Sequence, residues 1–191
     1  RYEVARVIDN GKRASSQIYQ RYWNDIIEEG CLYENASGQN ITIVIDDRTK
    51  LRLIGMEGRF TDANNNSLVA CLESGQVKVL LTGDMEEALE KANLDKFFDV
   101  DVLKAGHHGS STSSCQAFLE QTRPETVIIS CATGNKYRHP NLAAMQRFVK
   151  LGAHMYGTQK SGSILLTTDG TEYQLSTEDE LTLSDAGDRD E

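Results

Sequence analysis

The stretch that decides the fold is "DVLKAGHHGSSTSS", residues 101–114, in which an apolar run ends at two adjacent histidines. The run predicts a strand, and Gly109 permits the sharp turn that would end it. Adjacent strand residues point to opposite faces, so one histidine of the pair must face inward. We expect this to be His108, because the chain runs from it into a predicted capping box, Ser113-Ser-Cys-Gln116. A helix starting beside the pair would favour an anion such as phosphate.

Two other predicted strands also end in candidate metal ligands. "VKVLLTGD" ends at Asp84, and "VIISCATGNKYRHP" carries His139. Because strand ends meet at one edge of an α/β sheet, these side chains and the histidine pair are expected to converge. Imidazole and carboxylate together suit zinc, manganese or iron. A structural alternative stays open for both: Asp84 and Glu87 match a D-x-x-E capping box, and His139 could cap a helix that starts at Pro140.

The remaining pattern predicts an α/β domain over residues 1–175. A short strand and a helix over 14–30, capped by Gly30, come first, and four short strands follow up to Asp84. Helices and strands then alternate, and a hairpin is predicted around Asp169-Gly170. This order favours sheets with helices packed outside them. After Asp84, the predicted helices are 85–93, 114–122 and 141–151, and the predicted strands are 99–105, 126–131 and 153–157.

Composition places few limits on function. The 191 residues suffice for one substantial core, and no apolar run approaches the roughly 20 residues that cross a bilayer. Most of the net charge of −9 lies in residues 176–191, which carry seven acidic residues and one arginine and are predicted to be a disordered tail. The acidity therefore does not exclude a nucleic-acid substrate. No Walker A loop, dinucleotide fingerprint or nucleophile elbow is present, and His154 lacks a functional context.

Three blocks, taken together, resemble the metallo-β-lactamase-fold domain of ComEC-type competence proteins. They are "SLVACLESGQVKVLLTGDMEEALE", "DVLKAGHHGSSTSSCQAFLE" and "VIISCATGNKYRHPN", continued by "MYGTQKSGSILL", within residues 67–166. The resemblance implies an αβ/βα sandwich that holds one or two zinc or manganese ions at one edge of two facing sheets. It implies that Asp84 bridges metals and that His139 is a late metal ligand. The His107–His108 pair would line the active site, where one member binds metal or assists the leaving group.

The chain departs from this family in one major respect. The main metal motif, HxHxDH or HxDxDH, is absent, since the only histidines are 107, 108, 139 and 154. In relatives this motif lies just upstream of the strand that opens this chain. The sequence is therefore expected to be the C-terminal two-thirds of the domain. Without its missing N-terminal half as partner, it is expected to bind metal weakly and turn over little.

Three further positions concern substrate binding. Many relatives have a histidine where this chain has Asn65, which implies a poorer second metal site and makes Asn65 a candidate substrate contact. Lys136 and Arg138 would add positive charge beside His139, which is useful for phosphate. Alternatively, Lys136 and Arg138 are two exposed loop charges.

The resemblance implies a metal-dependent hydrolase, with metal-activated water attacking a phosphodiester or nucleic acid during DNA uptake or processing. The alternatives are a non-catalytic scaffold that keeps the fold without a complete metal site, and a lactonase or other carbon-ester hydrolase. Contact with a membrane is expected only if the chain is tethered within a larger ComEC-type protein. The sequence does not indicate a compartment.

Overall fold

The computed structural model describes residues 2–58, 60–177 and 179–188. The strands are β1 (Arg6–Asp9), β2 (Leu32–Asn35), β3 (Ile41–Val44), β4 (Thr49–Ile54), β5 (Val69–Ser74), β6 (Val77–Leu81), β7 (Val102–Lys104), β8 (Thr126–Ile129), β9 (His154–Gly157), β10 (Leu165–Thr168) and β11 (Tyr173–Ser176). The helices are α1 (Gln17–Glu29), α2 (Glu87–Ala92), α3 (Gln116–Thr122), α4 (Leu142–Leu151) and α5 (Thr158–Ser161). No helix in these ranges is long and apolar enough to cross a membrane.

A seven-stranded mixed sheet forms the centre of the structure, in the order β3-β4-β5-β6-β7-β8-β9. The strands from β3 to β6 form an antiparallel meander, and those from β6 to β9 are parallel. Parallel neighbours need crossover connections, which α2, α3 and α4 supply in turn. The predicted α/β class, with a strand-rich first half, is confirmed. The parallel order places the ends of β6, β7 and β8 at one edge of the sheet.

The core lies between this sheet and the crossover helices. Leu89, Phe118 and Phe148 pack from the helices against buried residues of the sheet. Val102 and its neighbour Leu103 on β7 are both fully buried, which explains the apolar run seen in the sequence. The predicted hairpin is present as β10 and β11.

The first helix connects two parallel strands that stand apart from the central sheet. The strands β1 and β2 pair in parallel, and α1 crosses between them. Ser16 accepts a hydrogen bond at the start of α1, and Gly30 ends it at φ 69°, as predicted. Ile18 is 83% exposed, so the apolar face expected of α1 is buried only in part. The strand β2 and the short helix α5 are not predicted from the sequence.

Within the acidic segment that is predicted to be a disordered tail, residues 179–188 contact the rest of the domain. Leu181 is only 3% exposed, and its backbone N–H donates to the carbonyl of Met155. Asp188 Oδ1 accepts a hydrogen bond from the backbone N–H of Leu142, 2.6 Å away. The segment contacts the domain because an apolar side chain, Leu181, reaches the core. A prediction based on the net charge of the segment does not take such a side chain into account. Residues 189–191 lie outside the described ranges.

Asp9 holds two tyrosine hydroxyls, and this contact gives a prediction about alkaline pH. Tyr22 Oη and Tyr33 Oη donate to its two carboxylate oxygens over 2.8 and 2.7 Å. Burial and then the Asp9 contact raise the pKa of Tyr22 well above its ordinary value and that of Tyr33 to about 12. In an absorbance titration, these two phenols should therefore ionise at higher pH than exposed tyrosines do. Because their pKa is raised on folding, their stabilising effect is complete below about pH 10 and is lost as pH rises through the folded-state values.

The variant Asp9→Asn tests the cause of this shift. Removing the negative charge should move both ionisations to lower pH, whereas Asp25→Asn, on the exposed side of α1, should leave them unchanged. An unchanged titration in Asp9→Asn would contradict the assignment.

Candidate metal and substrate site

Three strand ends of the central sheet bring the predicted ligands to one edge. Asp84 follows β6, the His107–His108 pair follows β7, and His139 follows β8. The ring centroids of His107 and His108 lie 5.5 and 6.5 Å from that of His139. His108 Nε2 lies 3.4 Å from Asp84 Oδ1. The structure thus gathers one carboxylate and three imidazoles from three separate segments of the sequence.

The histidine pair lies on a tight turn rather than on a strand. Residues Gly106–Gly109 form a 3-10 turn in which His107 (φ 46°, ψ 45°) and His108 (φ 58°, ψ 25°) both adopt left-handed backbone conformations. The prediction that strand alternation turns one ring inward is therefore wrong. Both rings reach the same edge, at the cost of two non-glycine residues in a conformation that L-residues disfavour. Such strain is typical of functional sites.

His108 and Asp84 have the geometry of two ligands that share a cation. The Nδ1 of His108 lies 2.6 Å from the carbonyl oxygen of Ser130, which can only accept, so Nδ1 donates the hydrogen bond. In the neutral ring, Nε2 then points a lone pair at the Asp84 carboxylate, and the two repel unless a proton or cation lies between them. Two ligands of a tetrahedral zinc ion, with bonds of about 2.0–2.2 Å, stand roughly 3.3–3.5 Å apart. The observed 3.4 Å fits this spacing.

His107 is oriented by a carboxylate that the sequence interpretation missed. Its Nδ1 lies 3.0 Å from Glu86 Oε1. The same oxygen accepts hydrogen bonds from Thr112 Oγ1 (2.9 Å) and Asn64 Nδ2 (3.3 Å). A carboxylate at Nδ1 holds the proton there and leaves Nε2 as an acceptor at the open edge. The only sequence signal was an acidic residue two positions after Asp84.

The side chain of Asn135 holds the backbone of His139 on both sides. Asn135 binds both the N–H and the carbonyl of His139, over 3.0 and 2.7 Å. The His139 Nδ1 atom is buried and has no hydrogen-bond partner within the described part of the chain. Burial, and then the nearby His107 and His108, lower the pKa of His139, which favours the neutral, ligating form. His139 does not cap α4, because Asn141 occupies that position.

Neither predicted capping box forms. The helix α2 begins at Glu87, and no side chain caps it, so the carboxylate of Asp84 is free to face His108. Ser113 Oγ donates to the carbonyl of Met85 instead of capping α3. The segment that leads into α3 is bound from the neighbouring helix: the fully buried carboxylate of Glu90 accepts the backbone N–H groups of Ser114 (2.6 Å) and Cys115 (2.7 Å).

Arg147 on α4 holds the opposite side of the same loop. Its guanidinium donates to the carbonyls of Ser114 (2.8 Å), Ser111 (3.0 Å) and Ser113 (2.7 Å). Glu90 therefore binds the N–H groups of the loop, and Arg147 binds its carbonyls. These two buried or half-buried groups fix the segment that follows the strained histidine turn.

Comparison with known proteins identifies the family. Residues 37–133, half of the chain, match the metallo-β-lactamase superfamily. The chain is 38% identical over 103 residues to ComE operon protein 3 of Bacillus subtilis, covering 53% of the chain and 13% of that protein. It is 36% identical over 101 residues to Recombination protein 2 of Haemophilus influenzae, with the same coverages. It is 33% identical over 111 residues to Competence protein ComA of Neisseria gonorrhoeae, covering 56% of the chain and 16% of that protein.

The chain belongs to the metallo-β-lactamase superfamily. The resemblance to ComEC-type competence proteins, inferred from the sequence blocks around Asp84, the histidine pair and His139, is confirmed. The fold class is confirmed as well. The chain spans only 13–16% of the length of these three relatives.

The superfamily implies a divalent metal, which the residues fit only in part. Asp84 and His108 stand at ligand spacing, and His139 offers an unpartnered ring nitrogen close by. Within residues 2–58, 60–177 and 179–188, however, no three His, Cys, Asp or Glu side chains are grouped closely enough to hold an ion. By themselves, the described side chains therefore do not complete a metal site.

The other predicted contacts have mixed outcomes. Lys136 and Arg138 are exposed beside His139, as expected, and Lys136 Nζ lies 4.7 Å from the ring centroid of Tyr137. Asn65 is buried at 6% exposure, and its Oδ1 accepts the N–H of Leu89 over 3.0 Å. This contact argues against the predicted substrate role of Asn65, because its polar group is engaged in anchoring α2. His154 pairs with Glu180 over 2.9 Å at the start of β9.

Gly109 gives a prediction about how closely two of these loops approach. Its φ is 81°, and a Cβ added there would lie 2.9 Å from Pro140 Cβ and 3.3 Å from Pro140 Cα. Gly109→Ala should therefore lower the free energy of unfolding by about 2–4 kcal/mol, through left-handed strain and overlap together. Chemical denaturation measures this loss.

Gly152 provides the matched control. It ends α4 at a similar φ of 85°, but no atom lies within 4 Å of an added Cβ. Gly152→Ala should lower the free energy of unfolding only by the cost of the left-handed conformation, about 1–2 kcal/mol. Equal losses in the two variants would contradict the close approach of Gly109 to Pro140.

Proposed function

We propose that this chain supplies part of the active site of a metal-dependent phosphodiesterase or nuclease-like hydrolase that acts in DNA uptake or processing. The observation that carries the proposal is the lone-pair contact between His108 Nε2 and Asp84 Oδ1 at 3.4 Å, which fits a shared cation. The relatives named for competence and recombination support DNA as the substrate.

Each side chain at this edge has a role in the proposal. Asp84, His108 and His139 would hold zinc or manganese, together with ligands from an HxHxDH-type segment. Such an ion, when bound, would lower the pKa of a water molecule and offset developing negative charge. His107, whose Nδ1 is held by Glu86, presents Nε2 to exchange a proton with the attacking water or the leaving oxygen. Lys136 and Arg138 would attract the phosphate.

One observation favours a second candidate, a non-catalytic module that keeps the fold. The described residues contain no group of three potential ligands, so they do not form a complete metal centre by themselves. A module that has lost its metal would show this arrangement. A carbon-ester hydrolase on the same fold is the third reading, and only the choice of substrate separates it from the first.

The experiment compares the chain alone with a protein that also carries an upstream HxHxDH-type segment. Metal content and hydrolysis of bis-(p-nitrophenyl) phosphate are measured for both, with zinc, with manganese and with chelator. We expect weak binding and little turnover from the chain alone, and metal-dependent hydrolysis from the longer protein. His154→Ala, remote from the site, should leave both unchanged. Equal, metal-independent behaviour of the two proteins would contradict the proposal and favour the non-catalytic module.

A further inference from the structure

An exposed aromatic ring stands beside the histidines, and the proposed metal chemistry does not use it. Tyr137 is 64% exposed in the loop that leads to His139. Its ring lies 5.8 Å from the His139 ring with an angle of 18° between the planes, so the two are stacked. The stack places a flat apolar surface immediately next to a predicted metal ligand.

The loop that presents Tyr137 is closed on itself. The side chain of Asn135 donates to the carbonyls of Ala132 (2.9 Å) and His139 (2.7 Å). Its Oδ1 accepts the backbone N–H groups of Tyr137 (3.2 Å) and His139 (3.0 Å). The side-chain amide of Asn135 thus binds both ends of the loop. The exposed ring is therefore held in place, which lowers the entropic cost of binding a ligand on it.

A cleft of about 460 Å³ is lined by Tyr137 together with His108 and His139. His108 and His139 form one part of its wall, and Cys131 and Ala132 form another, so that most of its lining is apolar. The volume is within the range of about 300–1,000 Å³ typical of small-molecule sites. A flat, largely apolar group of the size of a nucleobase suits this space.

Two cationic residues flank Tyr137 in the chain. Lys136 Nζ lies over the Tyr137 ring, 4.7 Å from its centroid, and Arg138 is exposed on the other side in the sequence. A ligand that stacks on the ring would therefore find cations beside its own anionic group. An aromatic platform next to cations is the combination with which proteins bind single-stranded nucleic acids.

We propose that the cleft binds an unstacked base of a single-stranded nucleic acid on Tyr137, which places the adjoining phosphate at the histidines. This inference rests on the proposed phosphodiesterase function and specifies its substrate class. A single strand is required because the bases of a duplex are stacked on each other and cannot present a face to the ring. Tyr137 is then a substrate-binding residue.

The test measures binding and needs no turnover. Fluorescence anisotropy with chelator present follows two end-labelled strands of about eight nucleotides, one of thymidines and one abasic. We expect the wild type to prefer the thymidine strand. Tyr137→Ala should weaken its binding by about 5- to 100-fold and leave the abasic strand unaffected, whereas Tyr137→Phe should retain the preference. Tyr2→Ala, at an exposed tyrosine that does not line the cleft, is the control.

The outcomes separate the inference from the proposed function. Equal binding of both strands by the wild type, no binding of either, or an equal effect of Tyr137→Ala on both would overturn the base platform. A preference lost in Tyr137→Ala and kept in Tyr137→Phe would support it. The hydrolysis of bis-(p-nitrophenyl) phosphate is measured separately, so the proposed function can fail while base-dependent binding remains.

Discussion

Replacing Glu90 by alanine is expected to lower the free energy of unfolding by about 3–5 kcal/mol. The Glu90 carboxylate is fully buried and accepts the N–H groups of Ser114 and Cys115 at the start of α3. Its loss would leave both donors buried without partners and Arg147 without its nearby negative charge. Urea denaturation measures this loss of stability: the midpoint urea concentration should fall while the dependence of the unfolding free energy on urea stays the same.

Glu87 gives a matched control on the same helix. Its carboxylate is half exposed and pairs with Lys91 one turn later. Exposed pairs of this kind contribute only about 0.3–0.5 kcal/mol, so Glu87→Ala should change the midpoint little. Glu90→Gln should fall between the two, since the amide keeps one acceptor of similar shape. Similar midpoints for Glu87→Ala and Glu90→Ala would contradict the role of Glu90 in holding the start of α3.

Replacing Asp84 by asparagine is expected to weaken zinc binding at least 10- to 100-fold, the range known for changes in the shell around metal ligands. The variant keeps the shape of the side chain and removes the negative charge that faces His108 Nε2. An amide oxygen binds zinc far less well than a carboxylate. Competition with a chromophoric chelator measures the affinity of both proteins.

The control for this variant is Asp99→Asn. The Asp99 carboxylate is exposed and pairs with Arg123, away from the site. Its loss should leave zinc affinity unchanged. If Asp84→Asn binds zinc as well as Asp99→Asn does, Asp84 is not a ligand.

The convergence of the site could be predicted because it follows from strand order. Parallel strands that end in Asp84, the histidine pair and His139 must meet at one sheet edge, whatever the details of the loops. The choice between ligand and helix cap at Asp84 could not be predicted. It depends on α2 beginning at Glu87, and the boundaries of helices are the least certain part of a sequence pattern.

The backbone conformation of the histidine turn, and the contacts that hold the following loop, could not be predicted from the sequence for a different reason. Left-handed conformations at His107 and His108 are imposed by the packing around them, and their residue type does not predict them. The pattern Ser113-Ser-Cys-Gln116 matches a local capping box, but the carboxylate that binds the N–H groups before α3 is that of Glu90, on another helix. Contacts between distant segments also explain the burial of Asn65 and the docking of Leu181.

The most direct test of the metal site is a zinc titration followed by NMR of the histidine ring nitrogens. We predict that His108 and His139 respond together over the same range of zinc concentration, that Asp84→Asn abolishes this response, and that His154, paired with Glu180, stays unchanged. A response spread evenly over all four histidines, or one that persists in Asp84→Asn, would contradict the proposal that this sheet edge holds a metal ion.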